Sequence, residues 1–169
     1  MSFIKNWLTV ILVLFACSLL TVSGKATENS REFYIKPIGE VQRVNNVTQL
    51  VLDKKYQDGL YGLDDFSHVW VIWWFDKNDN SRKRSVLQVK PKIKKGQPLT
   101  GVFACRAPVR PNLIGITLCK IKSVNNNIIT IDNIDAFDKT PIIDIKPYIA
   151  KYDSINSAWG PFSKRKRLF

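Results

Sequence analysis

The sequence predicts an all-β domain, a small closed or barrel-like sheet, on three observations. Short apolar runs of strand length recur at close spacing with turn residues between them. No segment sustains the helical period of about 3.6 residues. The aromatic run HVWVIWWF at 68–75 is apolar on both faces, which predicts a strand buried on two sides. Many short strands of this kind are best buried by closing the sheet on itself. With 169 residues, 45% apolar, five Trp and nine Phe, the chain has material for one core and one domain.

The N-terminus stands apart. Lys5 precedes the uncharged run WLTVILVLFACSLLTV, and SGKATE follows it. A basic residue, an apolar stretch and small residues read as a signal peptide over 1–26, cut after Gly24 or Ala26. The run is shorter than the roughly 20 residues a spanning helix needs, so a membrane anchor is the alternative, and lipidation at Cys17 a third. These readings predict an exported or membrane-anchored protein, or a cytoplasmic one if the segment is not a working signal. A polar linker, 27–33, leads into the domain.

From 33 the elements follow in order. FYIKPIGEV is β-prone on both sides of Pro37 and Gly39 and predicts an opening strand with a bend. Asn45 and Asn46 mark a turn, and TQLVLD alternates as a second strand. KKYQDGLYGLDDF, with Gly59 and Gly62, reads as a loop with at most a short helical turn. After the aromatic strand, DKNDNSRK is a turn, SVLQVKP a strand, and KPKIKKGQP a basic connection. LTGVFACR, IGITLCKIKSV and NIITIDNI read as three more strands, the last two joined as a hairpin across Asn125–Asn127. The tail, 154–169, ends in four basic residues, Lys164 to Arg167. It reads as a solvated end or as a contact for an anionic membrane surface.

The formal charge is +12, and removal of 1–26 leaves +10 because only Lys5 and Lys25 go. This balance suits nucleic acid, an anionic bilayer or phosphorylated small molecules, or simply a well-solvated surface. Cys105 and Cys119 read as two buried thiols, with pairing in an oxidising compartment as the alternative. Together with the single His68 they cannot supply the three or four nitrogen and sulfur ligands of a zinc site, so no metal is expected. His68 itself is either a core histidine or a general base.

Three stretches carry more specific chemistry, each placing polar groups at the end of an apolar strand: 62–75, 101–117 and 134–153. In the second, Pro108 and Pro111 fix their own φ and push Ala107 and Arg110 toward extended backbone, which stiffens the loop. Arg106 and Arg110 could then offer planar donor forks to a carboxylate or phosphate, or pair with an Asp of this chain. In the third, Asp135, Asp138 and Asp144 lie between stiffening prolines. They could accept ribose hydroxyls, sit near a cationic centre, or pair with Arg106, Arg110 or Lys146.

Taken together, FSHVW, GVFACRAPVRPNLIG and TPIIDIKPY resemble the TsaA-like family, known also as TrmO. The resemblance runs from PIGEV at Pro37 to Asp153, within a domain spanning 34–153. It implies a small β-barrel, often a homodimer, using S-adenosylmethionine to methylate threonylcarbamoyladenosine of tRNA. It implies cofactor contacts from Phe75, Asp76, Arg106 and Leu118, and from Asp135, Asp138, Lys139, Thr140 and Pro141. Arg110, Pro111, Asn112, Asp144 and Lys146 would support the loops, and no general base is assigned. Three departures accompany the resemblance. The family's longer loop after the first strand is replaced by GEVQRVNNVTQLVL, so one cofactor-binding element is missing. Asp76 and Lys139 stand where a His and a Gly are usual. The apparent export signal conflicts with a cytoplasmic substrate. The alternatives are an exported TsaA-like binding module for an anionic or nucleotide-like ligand, or a domain whose site has decayed.

Overall fold

The computed structural model describes residues 31–90, 98–155 and 157–158. Residues 1–26, read above as a signal or anchor, most of the basic connection and the Lys164–Arg167 cluster fall outside them. Compactness divides the chain at Tyr34, and the folded unit begins at Ile35.

Six antiparallel strands close into a barrel in the order β1-β2-β7-β6-β3-β8. They are β1 (Gly39–Val44), β2 (Val47–Leu52), β3 (His68–Trp74), β6 (Ile114–Asn125), β7 (Ile128–Ile131) and β8 (Pro141–Pro147). Closure comes where Gly39 and Glu40 pair with Ile142 and Pro141. A separate two-stranded ribbon, β4 (Gln88–Val89) and β5 (Thr100–Gly101), lies in the long connection between β3 and β6. The only helices among the described residues are four-residue turns, α1 (Ser81–Arg84) and α2 (Ala150–Asp153), together with short 3-10 turns.

Alternation builds the core. Val41, Leu50, Leu52, Val69, Val71, Cys119, Ile129, Ile131 and Ile142 point inward and are buried. Leu60 and Leu63, from the 3-10 turns of 54–65, join them. Each strand is too short to bury both faces alone, so closure supplies what a flat sheet could not. Register shifts opposite Ile72/Trp73 and within Ile121–Ser123 mark bulges that bend the wall.

Several expected boundaries differ. The first strand starts at Gly39, not Phe33, and continues to Val44, because Phe33 to Pro37 are exposed and unpaired while the Asn45–Asn46 turn closes the hairpin. Both asparagines have positive φ, 47° and 64°, the conformation of a tight two-residue hairpin turn. SVLQVKP and LTGVFACR form only two paired residues each, and Val102–Ala104 coils into a 3-10 turn. Val102 is buried, but the other large apolar side chains have no second layer to pack against: Leu87, Leu99 and Phe103 are exposed. The aromatic strand is buried on one face only. Val69, Val71 and Trp73 enter the core, and His68, Trp70, Ile72 and Trp74 are half-covered on the outer wall.

Candidate functional site

Chain direction collects the chemistry at one end of the barrel. The β1–β2 turn, the long connection after β3 and the loop 132–140 all emerge there, while 53–67, the β6–β7 turn and α2 occupy the other end. His68 starts β3, opposite Lys120, with its Nδ1 2.9 Å from Ser67 Oγ. His68 lines neither of the cavities described below.

The mouth is built on an aromatic floor. Trp73 and Phe75 pack as a tilted pair with centroids 4.4 Å apart. Trp73 donates from Nε1 to Thr117 Oγ1 at 3.1 Å, and its ring lies across Gly115, where a Cβ would meet indole carbon at 2.5 Å. Glycine at 115 is therefore what lets the indole lie flat on β6.

One wall is the loop 132–140, and Arg43 holds it. Period two places Arg43 on the inward face with Val41, opposite Thr48. Its Nη2 donates to the carbonyls of Ile134 and Ala136, both at 2.9 Å, and its Nη1 to Thr48 Oγ1 at 3.3 Å. The Arg43 backbone N–H donates to Asp138 Oδ1 at 2.8 Å. One residue of β1 thus fixes three residues of the loop.

The opposite wall is the segment 76–113. Asn80 caps α1 by accepting from the Lys83 N–H at 3.0 Å. Arg84 meets Asp79 at 2.7 Å, lies over the Trp74 ring at 5.2 Å, and donates to the Pro111 carbonyl at 3.0 Å. The hydrogen bond from Arg84, then that from Trp74, holds the Asp79 carboxyl below its ordinary pKa, and Arg84 is raised in return. Asn78 Nδ2 donates to the Pro108 carbonyl at 3.2 Å. At the rim, Lys77 Nζ sits 4.2 Å over the ring of the exposed Phe137 and links the two walls.

Between the walls lies a cavity of about 570 Å³. Of the expected cofactor residues, Phe75, Asp76, Arg106, Asp135, Asp138 and Thr140 line it. Leu118 lines an adjoining cavity of about 350 Å³ that shares Trp73, Phe75, Arg106 and Asp135 with the first. Arg110 faces the smaller cavity.

Lys139 and Pro141 are not brought to either cavity and line a shallow depression over β1 instead. Lys139 has φ 65°, its N–H donates to the Val41 carbonyl, and its Nζ meets Glu40 at 2.7 Å, so it turns away from the mouth. Its hydrogen bond to Glu40, with a second from Gln42, holds the Glu40 carboxyl below the usual range. Left-handed backbone is where glycine is at ease, which accounts for the family's usual residue there. Among the supporting residues, Pro111, Asn112, Asp144 and Lys146 line neither cavity. Asp144 pairs with Lys146 at 2.8 Å on β8, the in-chain pairing weighed for it above.

Among the described residues, Arg106 and Arg110 pair with no carboxylate. The loop is held instead by Asn78 and Arg84, which grip the carbonyls of its two prolines. Cys105 and Cys119 are unpaired thiols, and burial pushes Cys119 up to about 12, so it is an inert core residue.

Sequence reasoning missed Arg43, Trp73, Lys77 and Phe137 as lining residues. Alternation carried past Val41 would have found Arg43, and Trp73 already stood on the face of Val69 and Val71. Lys77 and Phe137 gave no sequence signal, because two distant loops bring them together.

Residues 34–154 match the tRNA-methyltransferase O N-terminal domain family. A probable S-adenosyl-L-methionine-binding protein of Methanocaldococcus jannaschii is 46% identical over 121 residues, 72% of this chain and 96% of that one. The mouse tRNA (adenine(37)-N6)-methyltransferase is 43% identical over 98 residues, 58% of this chain but 22% of its own length. TrmO from Pseudomonas aeruginosa superposes with a TM-score of 0.61 at 25% identity, covering 79% of this chain and 63% of that one. The chain thus spans nearly all of the archaeal relative, under two thirds of the bacterial structure and about a fifth of the mouse enzyme. With the family's strand-end loops gathered at one barrel mouth, the chain belongs to the TsaA-like, or TrmO, family.

Proposed function

We propose that this chain is an S-adenosylmethionine-dependent methyltransferase that acts on N6 of threonylcarbamoyladenosine in tRNA. The observation that carries the proposal is the larger cavity. It sets Asp76, Asp135 and Arg106, which pairs with no carboxylate among the described residues, beside Trp73, Phe75 and Phe137.

The donor set fits that cofactor. A cavity of about 570 Å³ lies in the range of small-molecule sites, with aromatic surface for a purine. Asp135 and Asp76 can accept from ribose hydroxyls or an ammonium group, and Arg106 offers a planar fork to a carboxylate. Asp138 and Arg43 are committed to each other's segments and serve as positioning groups. The tight Asn45–Asn46 turn takes the place of the family's longer loop, and Arg43 with loop 132–140 forms that side of the mouth instead.

S-adenosylmethionine supplies, when bound, a methyl group on a sulfonium that departs as a neutral thioether, so transfer asks for alignment more than for acid–base chemistry. The chain's part is accordingly to bind, orient and exclude water, and no residue of the mouth is assigned as a base. The acceptor follows from the relatives' tRNA activity and from the net charge of +12, which favours a polyanion. This reading requires the barrel to reside where tRNA is found. Pairing of two copies, which the resemblance implies, would be tested by sedimentation.

The test is transfer of labelled methyl from S-adenosylmethionine to tRNA by the full-length chain. Incorporation at the modified adenosine supports the assignment. Cofactor binding without incorporation into any tRNA would reject the acceptor while leaving the cofactor in place.

A further inference from the structure

The smaller cavity carries Leu118, one of the cofactor contacts that the resemblance implies, but its own arginine, Arg110, has no part in holding the cofactor as described above. The cavity opens beside the larger one across the shared wall of Trp73, Phe75, Arg106 and Asp135, and Trp70, Arg110 and the start of β6 complete it. A ligand in one compartment therefore abuts a ligand in the other.

Its polar content is unusual in one respect. Arg110 is half-buried, pairs with no carboxylate among the described residues and donates no side-chain hydrogen bond there. Arg43 and Arg84, by contrast, are consumed by carbonyl and carboxylate partners inside the protein.

The backbone around Arg110 is nevertheless fixed. The residue precedes Pro111, whose carbonyl is held by Arg84, and follows Pro108, whose carbonyl is held by Asn78. A guanidinium left free on an anchored loop is arranged for a planar oxyanion from outside.

We propose that the Arg110 side of the smaller cavity is the acceptor subsite and that Arg110 grips an oxyanion of the RNA there. This inference rests on the methyltransferase reading. The oxyanion is either a backbone phosphate next to the target adenosine or the carboxylate of its threonylcarbamoyl group. Asp135 on the shared wall opposes an anion that strays toward the cofactor compartment, so it helps to hold the acceptor on the Arg110 side.

The experiment uses the full-length chain, its Arg110→Ala and Arg110→Lys variants, and two anticodon stem-loop RNAs, with and without the threonylcarbamoyl group. RNA affinity is read by fluorescence anisotropy and cofactor affinity by calorimetry. Arg110→Ala is expected to weaken RNA binding by about tenfold or more and to leave cofactor affinity within about twofold. Arg110→Lys should recover part of the loss, since it keeps the charge but not the fork.

Equal losses on both RNAs identify the phosphate, and a loss confined to the modified RNA identifies the carboxylate. Unchanged affinity of Arg110→Ala for both RNAs overturns the proposal, as does loss of cofactor binding with RNA binding intact. If Arg110→Ala does not fold, Arg110→Lys carries the same two readouts, and RNA affinity equal to wild type then overturns it. Failure of the methyltransferase reading shows separately, as absence of cofactor heat in the unaltered chain, and the RNA measurement is read independently of it.

Discussion

The wall of the barrel and its mouth obey opposite rules. In the wall, inward side chains such as Leu50, Val71, Ile129 and Ile142 are apolar and wholly buried. At the mouth, Arg43 and Arg84 are used up in holding loops, and Arg106 and Arg110 pair with no carboxylate among the described residues. The contrast teaches that stability and function rest on different residues of one small fold. Charge within the mouth is similarly divided between braces and contacts.

The comparison breaks hardest in the wall. Leu50→Ala should destabilise the barrel by about 2–5 kcal/mol, through lost burial and the cavity left behind. Urea unfolding followed by tryptophan fluorescence measures it, and a loss below about 1 kcal/mol would mean that the wall is not closely packed.

The arginines sharpen it next. Arg43→Ala removes three side-chain hydrogen bonds, two of them to loop carbonyls, and should cost about 1–3 kcal/mol of stability as well as ligand affinity. Arg106→Ala should leave stability within about 0.5 kcal/mol while weakening S-adenosylmethionine binding by about tenfold. Denaturation and titration of both variants separate brace from contact, and equal stability losses would erase the distinction.

A smaller effect concerns acid. Glu40 and Asp79 have folded pKa values lowered by Lys139 and Arg84 respectively. Their stabilisation is therefore present above the ordinary carboxylate range and is lost as pH falls through the lowered values. Melting temperature should drop through that acid window, and Glu40→Gln should flatten part of the drop. Both groups are exposed enough for the effect to be modest and to shrink with salt.

The smallest is Lys139→Gly. Relief of left-handed backbone should outweigh the loss of an exposed ion pair and raise the melting temperature slightly. A fall would show that the bond to Glu40 matters more than the backbone strain.

The sequence made the wall legible and the mouth only partly so. Alternation in TQLVLD, IGITLCKIKSV and NIITIDNI marks strands because a closed sheet demands an apolar inner face at every second residue. The same logic overreached at SVLQVKP and LTGVFACR, where Leu87, Leu99 and Phe103 lack a second layer. At the mouth, the motif around Arg106 and the loop from Asp135 to Thr140 were legible by resemblance, and six of the nine expected cofactor positions meet in one cavity. Lys139 and Pro141 lie apart from that cavity because a positive φ at 139 turns the chain toward β1, and one residue's backbone sign leaves no trace in composition. Arg43 was missed because the first strand was ended too early.

The most direct measurement is calorimetric titration of the full-length chain with S-adenosylmethionine, repeated for Arg106→Ala. Saturable micromolar binding to one site per barrel, weakened in the variant, is the predicted result. No heat at millimolar cofactor, or equal binding by the variant, would contradict the assignment of the mouth as a cofactor site.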